Sequence, residues 1–427
     1  MEIQTVLTAP GIGDLREMEG FFRVTPLDRV FALAKDFGVV ETEHIPIMEA
    51  VFRILAEPIV AATDLPGFAR STMDGYALSA ASTFGASESN PALLEITGEI
   101  RMGKIPEKRI NPGEAMRIAT GAMMPEGADA VIMVEYTEEI DPDSLEIYRS
   151  VAPGTNVIAK DEDFKQDTLA LKPGTRLRPQ EIGLLAALGH TGVHVFKKPR
   201  VGIISTGDEL CEIKETPVAG RIRDINTYTL SAMARAAGAQ TVSYGIIPDE
   251  FEPLLDACKQ CLSESDMIII SGGSSVGTRD LTLSVIESLP DAEILVHGIP
   301  VSPGKPTILA RAGGKQLWGL PGHVTSAMVV FNRIVKFFLE SLSGMDPSFT
   351  REFSIPARLS RNIASAKGRI DFIRVRLYPG EDGVLTAEPV PGKSGLIRTM
   401  VAADGLIEIG MNTEGLEKGE EVAVIPI

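Results

Sequence analysis

The chain has 427 residues, with 58 acidic against 41 basic side chains and a formal net charge of −17. That balance argues against a groove for nucleic-acid phosphates or an anionic membrane surface, and the length predicts two to four domains. No apolar run approaches ~20 residues and no apolar segment opens the chain, so neither a membrane span nor a signal peptide is expected, and three cysteines fit a reducing cytoplasm.

Residues 1–20 read as a loose extension. Residues 25–55 carry a helical pattern, with Thr25 as N-cap and Pro26 at the first helical position. Residues 64–163 are rich in Gly, Pro and short β-like runs, of which 130–134 is the clearest strand. Residues 175–188 return to helical spacing. This suggests a linker domain (21–62 and 165–197) interrupted by a β-rich inserted domain (63–164). From 198 to 346 strands and helices alternate: strands at 201–205, 241–247 and 267–270, helices at 227–237, 251–262 and 279–289. That order predicts a mostly parallel sheet with helices on both faces. A helix begins near Val324, with Ala327, Met328, Phe331, Ile334, Val335 and Phe338 as its apolar stripe. Residues 347–427 read as a small β-barrel or sandwich, with a turn at Glu381-Asp382-Gly383. The fold class is α/β multidomain. Cys258 and Cys261, at i and i+3 on one helix, read as core packing.

The segment Met267 to Thr278 (MIIISGGSSVGT) is a buried strand running into a glycine-rich loop and a helix. Bare N–H groups and the helix dipole there favour an anion. In a parallel sheet all strand C-termini share one edge, where ligands bind. That edge gathers Thr206-Gly207-Asp208-Glu209, Pro248-Asp249-Glu250 and Asp280. Carboxylates beside a phosphate cradle repel the ligand unless a hard cation such as Mg²⁺ lies between them. An acid in a first helical turn is also favoured by the dipole alone, and glycine also serves plain turns, so the weight rests on convergence. Ser302-Pro303-Gly304-Lys305-Pro306 adds a constrained turn with one cation. Leu320-Pro321-Gly322-His323 opens the last helix, whose N–H groups are candidates to hold a second polar group.

An ordered series of segments resembles the molybdopterin molybdenumtransferase (MoeA and gephyrin E-domain) family: Asp64-Leu65-Pro66-Gly67-Phe68, Ser71-Thr72-Met73-Asp74-Gly75-Tyr76-Ala77, Ala119-Thr120-Gly121-Ala122, Ser205 to Leu210, Ser271-Gly272-Gly273 with Val276-Gly277, Pro303-Gly304-Lys305-Pro306, Leu320-Pro321-Gly322, and Gly368-Arg369 with Asp371-Phe372. The resemblance implies a MoaB-like molybdopterin-binding α/β domain and a reaction in which adenylylated molybdopterin and molybdate give the molybdenum cofactor and AMP, with Mg²⁺ required. It implies Asp74, Thr120, Asp163, Glu209, Asp249, Asp280 and Lys305 as catalytic positions, with Asp249 and Asp280 on the metal. It implies Ser205, Thr206, Gly207, Asp208, Ser271, Gly272, Gly273, Ser274, Ser275, Gly277, Gly304, Pro321, Gly322, Arg369 and Ser394 as substrate contacts, the loop from Ser271 to Gly277 holding the terminal phosphate. It also implies an elongated homodimer, in which Asp74 and Thr120 face the partner's glycine loop. The adenylyltransferase of the preceding step is a further candidate partner.

The chain departs from that pattern at several positions. Many relatives carry lysines where Gly298 and Ser302 stand, and His297 sits beside the first. His323 occupies a position where asparagine is common, and Lys160-Asp161-Glu162 replaces a more basic turn. Two other activities therefore stand beside the first: a non-catalytic molybdopterin-binding scaffold, and a molybdopterin adenylyltransferase.

Overall fold

The computed structural model describes residues 24–272, 276–349, 353–380 and 383–427. They form two units: residues up to 40 with 198–343 and 350–427, and residues 41–197 with 344–349.

In the first unit, a six-stranded sheet has the order Gln240–Ile247, Arg200–Thr206, Met267–Ser271, Lys315–Leu320, Ile308–Ala312, Glu293–His297. The first four strands are parallel, and the last two join as antiparallel neighbours. Alternation along the strands serves two cores. Val201, Ile203, Met267 and Ile269 point to the face covered by Leu230 and Ala234 of helix Asn226–Ala236. Ile204, Ile268 and Ile270 point to the other, against Leu254, Leu255, Cys258 and Cys261 of helix Phe251–Glu264. A period of two, apolar on both sides, is what a doubly covered sheet demands. Burial pushes the thiols of Cys258 and Cys261 up to about 12 and about 11, which fits core packing.

The last helix runs as Val324–Val330, a π-helical turn Phe331–Val335, and Lys336–Leu342, with Phe331, Ile334, Val335 and Phe338 all buried. Beyond it, five strands close on themselves: Ile370–Pro379, Leu385–Pro389, Ile355–Leu359, Glu421–Pro426 and Gly405–Ile409, the last pairing back to the first. This closed barrel removes every open edge among those five. The turn expected at Glu381-Asp382-Gly383 has its first two residues outside the described residues.

The helix expected over 25–55 ends early. An α-helix spans Leu27–Ala32 and a 3₁₀ turn Leu33–Asp36; Thr42–Pro46 is a strand paired with Gly192–Phe196. Pro26 is the N-cap, one place later than expected. Gly38 and the β-branched Val39 and Val40 break the periodicity, and tertiary pairing takes the rest. Val30, Ala34 and Phe37 from this segment enter the core of the first unit.

The second unit carries a six-stranded sheet in the order Ala130–Met133, Gly75–Leu78, Glu114–Ile118, Ala92–Ile100, Ser144–Ile147, Thr137–Asp141. Helix Pro179–Ala187 opens on proline, and Glu181 accepts the Arg178 N–H at 2.8 Å. Leu185 of this helix packs with Leu55, Leu177, Val193 and Val195.

Gly75 pairs with Met133 and Ile118 in the middle of its sheet, and an added Cβ would sit 1.9 Å from the Ile132 carbonyl oxygen. Gly75→Ala is therefore expected to cost about 1–3 kcal/mol of stability by overpacking against backbone. Urea unfolding of the variant against the parent protein checks this, and an unchanged midpoint refutes it.

Candidate functional site

Register brings the strand ends that lead into Asp208, Glu209 and Asp249 to one edge of the parallel sheet. Ser205 is level with Ser271, Ser271 with Leu320, and Thr206 with Ile247. The chain leaving these strand ends carries Gly207, Asp208 and Glu209, then Asp249, then Gly272, then Pro321 and Gly322. Thr206 Oγ1 donates to Asp249 Oδ1 at 2.6 Å, and the Asp249 N–H donates to Asp208 Oδ1 at 3.3 Å. Gly272 has φ +150°, and a Cβ there would lie 2.1 Å from the Thr206 carbonyl oxygen, so only glycine lets these two strand ends approach. Gly273, Ser274 and Ser275 lie outside the described residues. Gly277 and Asp280 fall within helix Val276–Glu287, and the Asp280 side chain is outside the described residues.

One residue at this edge was missed by sequence reasoning. Asn226, buried at 7% exposure, donates from Nδ2 to Ser271 Oγ at 2.7 Å and to the Gly322 carbonyl at 2.8 Å. Beside it, Ser205 Oγ and Thr227 Oγ1 are 2.9 Å apart, and Asp224 Oδ1 accepts the Thr227 N–H at 3.2 Å. Its signal was present as a polar Asp-x-Asn just ahead of an amphipathic helix, a place where such residues bond local backbone.

The Pro321–His323 turn connects this edge to a cavity of about 700 Å³. Gly304, Lys305, Pro321, Arg369 and Ser394, all expected at the site, line it, as do Ser302, His323 and Lys367. Neither Gly298 nor His297 does; Gly298 accepts the Thr25 N–H at 2.9 Å. Arg369 Nε pairs with Asp371 Oδ1 at 3.0 Å, and Lys367 Nζ with Glu414 Oε1 at 2.9 Å. Asp371 is 4% exposed. Burial alone would raise its pKa; hydrogen bonds from Ser365 and Ser302 and the Arg369 charge outweigh burial and hold the carboxyl below the usual carboxylate range. Ser302 is thus bound to Asp371, with which it is in strand register.

The start of the last helix differs from expectation. The Thr325 N–H donates to the Ser394 carbonyl at 3.0 Å, so that donor is spent within the protein. Ser394 Oγ also lies 2.8 Å from His323 Nδ1.

Asp74 and Thr120 belong to the second unit, where Asp74 Oδ1 accepts both the Thr120 N–H at 2.7 Å and its hydroxyl at 2.9 Å. These two bonds hold the Asp74 carboxyl below its usual value. Asp163 lies in a turn tied to Leu65 by its N–H, and no hydrogen bond among the described residues links it to that pair.

A Mg²⁺ ion bridging phosphates takes one or two carboxylates and hard oxygen donors. Asp249 and Asp208, joined at the rim, supply that kind of donor; no cluster of three or more His, Cys, Asp or Glu suited to a metal occurs among the described residues.

Comparison with known proteins covers most of the chain. A family model described as the MoeA N-terminal region (domain I and II) matches residues 25–189. A probable molybdopterin binding domain matches 202–341, and the MoeA C-terminal region (domain IV) matches 356–427. A putative molybdopterin biosynthesis protein of Methanocaldococcus jannaschii is 36% identical over 394 residues, spanning 90% of this chain and 92% of that protein. The molybdopterin molybdenumtransferase of Bacillus subtilis is 34% identical, spanning 91% of this chain and 90% of that protein. The crystal structure of the molybdopterin biosynthesis moeA protein from Pyrococcus horikoshii OT3 superposes with a TM-score of 0.79 at 32% identity, over 95% of this chain and all of the other. With three family regions in order along the sequence and this agreement in fold, the chain belongs to the MoeA family.

Proposed function

We propose that this chain inserts molybdenum into molybdopterin, taking adenylylated molybdopterin and molybdate and releasing AMP in a Mg²⁺-dependent reaction. The observation that carries the reading is the junction of two features: a carboxylate-bearing strand edge and a cation-lined cavity meet at the Pro321–His323 turn. Both substrates are anions, and each feature suits one kind of anionic group. The segment from Ser271 to Gly277 takes the terminal phosphate of molybdopterin, with Ser205, Thr206, Gly207, Asp208 and Gly272 around it. The cavity takes the oxyanion, with Lys305, Arg369 and Ser394 as its contacts and Gly304 and Pro321 shaping its wall; Gly322 stands in the turn between cavity and strand edge.

Asp249 and Asp280 would hold Mg²⁺, with Glu209 beside them on the rim. The ion there would supply charge neutralisation between rim and diphosphate and would stabilise the leaving AMP. Thr206 fixes one oxygen of Asp249, which orients the carboxylate before the substrate arrives. Lys305 and Arg369 hold the oxyanion where the pterin dithiolene can reach it; the dithiolene itself provides the soft sulfur ligands molybdenum prefers. The protein's part is binding, orientation and charge compensation.

The reading extends to assembly. Asp74, Thr120 and Asp163 act on the partner's substrate in a homodimer, and the Thr120–Asp74 bonds present an oriented carboxylate for that role. The adenylyltransferase of the preceding step supplies the substrate, in the cytoplasm. No helix of the described residues is long and apolar enough to cross a membrane. A second reading, a molybdopterin-binding scaffold without turnover, is favoured by one observation: Ser302 brings no charge to the cavity and is bound to Asp371.

AMP release from adenylylated molybdopterin, with and without molybdate and Mg²⁺, separates the two. Molybdate-dependent release supports the enzyme; tight binding without release supports the scaffold. Asp249→Asn is expected to lower the Mg²⁺-dependent rate by about 100-fold or more, in the range seen when an electrostatic stabiliser is removed. Full activity of that variant removes Asp249 from the metal site. Ser302→Lys is expected to shift the half-saturating molybdate concentration by less than about threefold, because the new ammonium meets the Asp371 carboxylate first. Titration of molybdate in the same release assay reads this, and a tenfold tightening contradicts it.

A further inference from the structure

Four basic side chains line the cavity: Lys305, His323, Lys367 and Arg369. Arg369 is paired with Asp371 and Lys367 with Glu414, so part of their charge is already matched inside the protein. Ser302 adds a hydroxyl that Asp371 takes.

His323 is held differently. Its Nδ1 lies 2.8 Å from Ser394 Oγ, a neutral group. Ser394 is in turn pinned by its carbonyl, which accepts the Thr325 N–H at 3.0 Å. One residue therefore fixes both the imidazole and the first turn of the helix behind it. Among the described residues, Nε2 makes no hydrogen bond, and it is the ring's remaining polar atom. When Nδ1 accepts from the serine hydroxyl, the proton sits on Nε2; a protonated ring carries one there too. An anion in the cavity selects these forms, because both present a donor to it.

We propose that His323 is a specificity-determining contact of the oxyanion, donating from Nε2 to one of its oxygens while Ser394 holds the ring. The proposal rests on the cavity being the oxyanion site. It gives this chain a donor to the oxyanion from the start of the last helix.

The test titrates the full-length protein with molybdate, and separately with molybdopterin, by calorimetry. His323→Ala is expected to weaken molybdate by roughly tenfold or more, the usual scale for a hydrogen bond to a charged group, with molybdopterin affinity unchanged. His323→Gln, which keeps an N–H donor of similar reach, should stay within about threefold of the parent. Ser394→Ala should weaken molybdate by an intermediate amount. Parent-like molybdate affinity in His323→Ala overturns the proposal. Equal loss for molybdate and molybdopterin also overturns it, because that pattern marks a structural role. If His323→Ala fails to fold, His323→Leu, which keeps bulk without a donor, takes its place with the same expected loss. If the parent protein binds molybdopterin but no molybdate, the oxyanion reading of the cavity is what fails.

Discussion

The Asn226 side-chain amide is the interaction on which the site depends. A carbonyl can face only a donor, so the Gly322 oxygen fixes which end of the amide points to it. The second hydrogen then goes to Ser271 Oγ. One buried group thereby joins the end of a central strand, the start of a flanking helix and the turn that borders the cavity. Buried polar bonds of this kind are costly to leave half made, so the three segments are held in one arrangement. The approach of Gly272 to Thr206 tightens the same corner from the other side.

Charge is managed locally in a strongly acidic protein. At an effective dielectric of about 20, two unit charges 4 Å apart interact by about 4 kcal/mol, enough to repel an anion from an uncompensated carboxylate. Asp371 is compensated by Arg369 and by two serine hydroxyls, and Glu414 by Lys367. Asp249 is partly satisfied by Thr206. The cavity wall therefore presents cations whose counter-charges sit behind them, and the rim presents carboxylates already bonded to neighbours. This arrangement favours an anion at the wall and a cation at the rim.

Much of this was readable in the sequence where structure follows local rules. The run from Met267 to Ile270 had to be a covered strand, and parallel order alone carried Thr206, Asp249 and Ser271 to one edge. The series of short motifs identified the family on similarly local grounds. What escaped was long-range. Residues 25–55 have helical spacing, yet Thr42–Pro46 is claimed by a strand about 150 residues away. Ser302 and Asp371 are 69 positions apart, and only folding reveals that the hydroxyl is spent on the carboxylate. The Thr325 N–H looked available because its acceptor, Ser394, lies in a distant loop. Asn226 carried a visible local signal, but its bonds to Ser271 and Gly322 did not.

All three cysteines are buried, two of them on the inner face of helix Phe251–Glu264 with thiols pushed far toward the protonated form. Thiolate, not thiol, captures soft metals and reacts with oxidants. A protein that handles a sulfur-seeking metal while burying its own thiols offers that metal no thiolate to compete with the pterin. The same burial means that a thiol-directed reagent reaches these cysteines only when the structure around them opens.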